Sequence, residues 1–138
     1  MIKPLGINIK VEGGSWDIIG QKMYSEAVLM GWGSHDPHEL YNIYSSDNAG
    51  IEYYNTGFYQ NGTVDEYFKK ALQANSEAEA IKFWQKAQWD GKTGLSGKGD
   101  AAWAWLVNID HLYIMKENLD IGEQRIHVHG HGWPATDN

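Results

Sequence analysis

Residues Leu29 to Glu39, LMGWGSHDPHE, decide how the rest of this chain is read. An apolar run stops at Gly31-Trp32-Gly33, and a short polar loop then ends in Asp36-Pro37 before a new amphipathic segment opens. A strand that delivers a large aromatic ring and a carboxylate to the rim of a sheet has this pattern. In open α/β sheets ligands sit beyond the carboxyl ends of the strands, so Trp32, Gly33, Ser34, His35 and Asp36 are the first candidates for ligand contact. The same residues also suit a plain strand-to-helix turn with one Trp packed beneath it, because Gly and Asp-Pro mark turns whatever their function.

Working outward, the segments alternate. Ile7, Ile9 and Val11 recur every second residue, as on the buried face of a strand that Gly13-Gly14 ends. Ser15 suits the cap of a helix whose Trp16, Ile19 and Met23 share a face, although Gly20 weakens it by up to about 1 kcal/mol. Ala27 to Met30 reads as a second short strand, and Leu40, Ile43 and Tyr44 as a brief helix beginning near Pro37. Thr63 and Glu66 form a capping box ahead of Val64, Tyr67, Phe68, Ala71 and Leu72 at helical spacing, and Ser76 and Glu79 form another ahead of Ala80, Ile81, Phe83, Trp84 and Ala87. Ala101 to Val107 and Leu112 to Met115 read as two further strands joined by a turn over Asn108 to His111. The expectation is a single α/β lobe over residues 1–138, a mixed sheet flanked by helices, with the two capped helices laid as a hairpin against the sheet.

Composition narrows the function. A net charge of -7 argues against a phosphate-binding surface, since nucleic-acid domains carry a basic stripe. The absence of cysteine removes disulfides, thiolate metal sites and cysteine nucleophiles together. No apolar run approaches a membrane span, and residues 1–20 lack the basic start and apolar core of a signal peptide. No catalytic constellation appears: there is no G-x-S-x-G elbow and no H-E-x-x-H helix, and Ser34, His35 and Asp36 are too close in sequence to be taken as a triad without geometry. Binding is the better class, with no cofactor expected.

Two loops bear on a site. Residues 45–62, SSDNAGIEYYNTGFYQNG, are too long to be an ordinary connection in a compact domain, and loops of that length are often functional. Tyr53 and Tyr54, with Phe58 and Tyr59, are therefore candidates to line a cleft, while rings closing the core edge are the plainer account. Trp103 and Trp105 fall on one face of their strand, and Trp103 is taken as the cleft-facing ring. Gly91 to Asp100, GKTGLSGKGD, lacks the order of a phosphate loop and reads as a flexible surface connection.

These segments carry a resemblance. GWG-x-x-DP after a short strand resembles the second-lobe signature of the extracytoplasmic solute-binding proteins that feed peptide and nickel ABC transporters. Gly6 to Val11 followed by Trp16 is similar to the family's "GI-x-V" strand and the helix after it. Asn61-Gly62-Thr63-Val64-Asp65 resembles its "N-P-x-V-D" helix start, with Gly62 where the family prefers Pro. Ala80 to Ala87 resembles its next helix, and Trp105 to Ile114 its late apolar strands. The resemblance implies one lobe of a two-lobed protein that closes over a solute and presents it to an ABC permease, located in the periplasm or otherwise outside the cytoplasm, with the first lobe as partner and the export signal in that missing part. In peptide-binding relatives an acidic residue meets the peptide amino terminus in W-x-x-D spacing; here His35 stands at that spacing and Asp36 follows. Peptide is the first expectation for the solute, a nickel or other metal chelate the second, and a sugar the third.

The tail is separate. His127, His129 and His131 alternate, which on a strand puts three imidazoles on one side. Successive same-side residues of a flat strand lie nearly 7 Å apart, so these histidines suit a metal only if the strand bends, and no structural metal site is expected. A metal-dependent hydrolase built on this tail and an aromatic-lined carbohydrate module are the competing classes.

Overall fold

The computed structural model describes residues 3–25, 27–33, 36–107 and 116–118. Along them lie a 3-10 turn at Lys3–Leu5, then α1 (Trp16–Lys22), α2 (His38–Tyr44), a second 3-10 turn at Ser46–Asn48, α3 (Gly62–Leu72) and α4 (Glu77–Gln88). The strand expected at Leu112 to Met115, the turn before it and the histidine tail lie outside the described residues.

The two long helices begin where side chains satisfy their first amides. Asn61 Oδ1 accepts from the backbone N–H of Thr63 and Val64, at 3.0 and 3.2 Å, so α3 starts ahead of the expected Thr63 cap. At α4 the expected Ser76 cap forms, with Ser76 Oγ accepting from the Glu79 N–H, while the Glu79 carboxylate reaches back one residue further than in a capping box and accepts from the N–H of Asn75. The short connection folds the helices into a hairpin. Val64, Phe68 and Ala71 of α3 meet Trp84 and Ala87 of α4, and Ile43 and Tyr44 of α2 complete the core. Leu72 and Ile81, expected in the same stripes, are exposed.

The expected α/β sheet is absent: the described residues contain helices and turns but no strand. Residues 7–11, 27–33 and 101–107 run without pairing, and apart from the half-buried Val28, Met30, Trp32, Ala102 and Trp103 their apolar side chains stand in solvent, with Ile9 at 64%, Val11 at 87% and Leu29 at 78% exposed. The physical reason is that period-two alternation only sets where side chains point, whereas a strand exists only when its N–H and C=O groups meet a neighbour. The capped hairpin therefore packs on itself and on α2 rather than on a sheet.

Both long loops are tightly closed. Asn55 is fully buried at positive φ, a conformation that Asn tolerates better than most residues. Its Nδ2 donates to the carbonyls of Ser45 and Tyr59 at 2.9 and 2.8 Å, and its Oδ1 accepts from the Tyr59 N–H at 2.8 Å, which draws residues 45–59 around one side chain. After α4 the chain doubles back: Leu95 and Ser96 donate to the carbonyls of Ala87 and Gln88, each at 3.1 Å, and Leu95 enters the core. Gly94 sits at φ +153, and a Cβ there would lie 2.3 Å from the Gln88 carbonyl oxygen. Gly94 and Gly99, where a Cβ would lie 2.2 Å from the Gly94 carbonyl oxygen, thus serve a close backbone approach, which the reading of a flexible connection does not anticipate.

Candidate functional site, an aromatic line at the edge of the core

Three of the expected site residues come together from distant parts of the sequence. The Trp32 ring meets Tyr54 at 6.0 Å between centroids and Trp103 at 6.1 Å, both edge-on. Trp103 continues to Tyr44 at 5.8 Å and to Trp105 at 5.7 Å, and Tyr44 meets Tyr59 at 6.2 Å. Edge-to-face contacts at these separations add about 0.5–1.5 kcal/mol per pair beyond area burial, so the rings stabilise one another's positions. Trp32, Tyr54 and Trp103 are each half-buried against the core.

Trp32 is aimed by a group that sequence reasoning missed. Its indole N–H donates to Glu39 Oε1 at 3.1 Å, while Glu39 Oε2 accepts from Asn42 Nδ2 at 3.1 Å. Glu39 and Asn42 are three apart on α2, so the helix face fixes the carboxylate that fixes the ring. The seven-residue separation of Trp32 and Glu39 is a signal that an aromatic just ahead of a helix with an acidic first turn offers.

Of the remaining expected residues, those that the structure describes do not join this group. Gly33 is exposed beside Trp32, and Ser34 and His35 lie outside the described residues. The Asp36 carboxylate accepts from the His38 N–H at 2.9 Å and the Asp36 carbonyl accepts from the Glu39 N–H, so Asp36 lies in the turn that leads into α2 rather than on a sheet rim. Tyr53 packs on Trp16 of α1 at 5.5 Å instead of on the Trp32 group. His127, His129 and His131 lie outside the described residues, among which no group of three or more His, Cys, Asp or Glu is placed to hold a metal ion.

A polar cluster borders the rings. Asp100 accepts from the Tyr59 hydroxyl at 2.6 Å and from Asn61 Nδ2 at 2.7 Å, and Asn61 Nδ2 also reaches Thr93 Oγ1 at 2.8 Å. Hydrogen bonds from Tyr59 and Asn61 hold the Asp100 carboxyl below its ordinary range, while burial and the neighbouring Asp100 push the Tyr59 hydroxyl above the tyrosine range. Burial likewise raises Tyr44. At neutral pH the tyrosines are therefore protonated and Asp100 is ionised. Such a set offers stacking surfaces and one exposed negative charge, which is the chemistry of recognition.

No protein-family model matches the chain. With no strand among the described residues, where a solute-binding lobe of the resembled family would be mixed α/β, the expected membership in that family is not upheld. Over 120 residues the chain is 35% identical to Protein XP55 of Streptomyces lividans, a match covering 86% of this chain and 21% of that protein. The chain thus spans about a fifth of the length of the curated relative it matches, whose name states no activity.

Proposed function

We propose that this chain binds a small solute, a short peptide, as the capture component of an ABC uptake system outside the cytoplasm, and performs no covalent chemistry. The observation that carries the binding reading is the Tyr54–Trp32–Trp103 group: three half-buried rings from separate segments, with Trp32 aimed by Glu39. Aromatic rings fixed at the edge of a core give a ligand large contact area at little cost in conformational entropy. Among the described residues no helix is long and apolar enough to cross a membrane; the permease of such a system is part of the proposal.

The test is a titration of the purified chain with short peptides, with cellobiose and with nickel ions. Saturable binding of a tripeptide is expected, weakened roughly tenfold by Trp32→Ala, the scale of losing one aromatic contact (~1.4 kcal/mol). Trp32→Phe, which keeps a ring and removes the N–H, should retain most of the affinity and controls for loss of fold. Binding of the sugar or the metal with indifference to every peptide would overturn the choice of solute, and binding of none of them would overturn the binding reading.

A further inference from the structure

Tyr54, Trp32, Trp103 and Trp105 form a line of rings that begins half-buried and ends in solvent. Trp105, the outer end, is 58% exposed. It is nonetheless fixed on two sides. Its indole N–H donates to the Tyr44 hydroxyl at 2.8 Å, and its ring leans on Trp103 with only 33° between the planes. Tyr44 is itself a core residue, 1% exposed, so a buried hydroxyl anchors an exposed indole. The bond gives the buried hydroxyl a partner and at the same time fixes the exposed ring. A ring held this way has already lost the rotamer freedom that a ligand would otherwise have to remove, which is preorganisation for stacking.

The surroundings select the occupant. The polar atom of the indole is engaged by Tyr44, so what Trp105 offers is a bare ring face, the negative part of the aromatic quadrupole, with no donor left for sugar hydroxyls. The Tyr59 ring meets Tyr44 and its hydroxyl meets Asp100, so a rigid pair of tyrosines joins the platform to an ionised carboxylate. The net charge of -7 draws cations toward the whole surface. We infer that Trp105 is a stacking platform for the cationic side chain of an extended basic peptide, with Tyr44 as the positioning residue that holds the platform in place. This rests on the reading that the chain binds peptides and adds which peptides and which ring.

Nuclear magnetic resonance titration tests it, because the seven tryptophans give seven indole N–H signals and Trp105→Phe identifies one of them. The tripeptide Arg-Gly-Arg should shift the Trp105 signal saturably, and Glu-Gly-Glu should not. Trp105→Ala should weaken binding of Arg-Gly-Arg about fivefold, the size expected for a cation on an exposed indole. Tyr44→Phe keeps the buried ring and removes only the anchoring oxygen; it should cause a smaller loss and shift the Trp105 indole signal before any peptide is added. Arg-Gly-Arg binding that Trp105→Ala leaves unchanged overturns the platform and leaves the peptide reading standing. Equal response to the acidic tripeptide, or saturation by cellobiose instead, overturns the cationic occupant. No binding of any peptide by the wild-type chain overturns both readings.

Discussion

The extended segments 7–11 and 101–107 are at least as apolar in sequence as the α3–α4 hairpin and opposite to it in structure. In the hairpin, Val64, Phe68 and Ala87 are fully buried, and each helix satisfies its own backbone from cap to end. In the extended segments Ile9, Val11, Leu106 and Val107 stand in solvent with no neighbouring strand among the described residues. The difference is one of locality. A helix closes its hydrogen bonds within itself and needs only one apolar face covered, whereas a strand depends on another segment for its bonds.

If that contrast holds, substitutions should sort by region. Phe68→Ala, at the centre of the hairpin core, should cost about 3–5 kcal/mol in a urea or thermal melt, through lost transfer energy and the cavity left behind. Asn55→Ala should cost about 2–3 kcal/mol, because it strands buried backbone partners at Ser45 and Tyr59. At the other extreme, Ile9→Ser in the unpaired segment should change stability by under ~0.5 kcal/mol. A loss at Ile9 that approached the loss at Phe68 would erase the distinction between the two regions.

Acid sharpens the same comparison through the loops that close on the hairpin. Asp90 lies below its ordinary value of 3.8 because the N–H groups of Thr93 and Lys92 bind its ionised form, and Asp100 lies below it through Tyr59 and Asn61. A carboxyl with a depressed folded pKa contributes stability that is complete above its unfolded value and lost as pH falls through the folded value. The melting temperature should therefore be flat near neutrality and fall below pH 3.8. Replacing both residues, as Asp90→Asn with Asp100→Asn, should flatten that acid slope, and an unchanged slope would place its origin in other carboxylates.

What was legible in the sequence divides along the same line. The caps of α4 and the apolar stripes of both long helices stood in short windows, where spacing alone carries the information. Trp32 is legible from the turn that follows an apolar run, Tyr54 from the length of its loop and Trp103 from alternation in an apolar segment; the three meet, but on a helical core and not at a sheet rim. The bond from the His38 N–H to the Asp36 carboxylate is not legible in the sequence, because spacing describes a turn-forming Asp equally well with a carboxylate facing a ligand. The alternation of Ile7, Ile9 and Val11 carried no word on whether a partner strand exists. Trp105 was passed over for Trp103 because its anchor, Tyr44, lies 61 residues away.

Residue-resolved hydrogen exchange tests the central claim most directly, since it reads backbone pairing without reference to side chains. Amides inside α3 and α4 should exchange slowly, at rates that track global unfolding. Amides of residues 7–11 and 104–107 should exchange at nearly unprotected rates. Protection of those two segments equal to that of the helices would show a paired sheet and contradict the account.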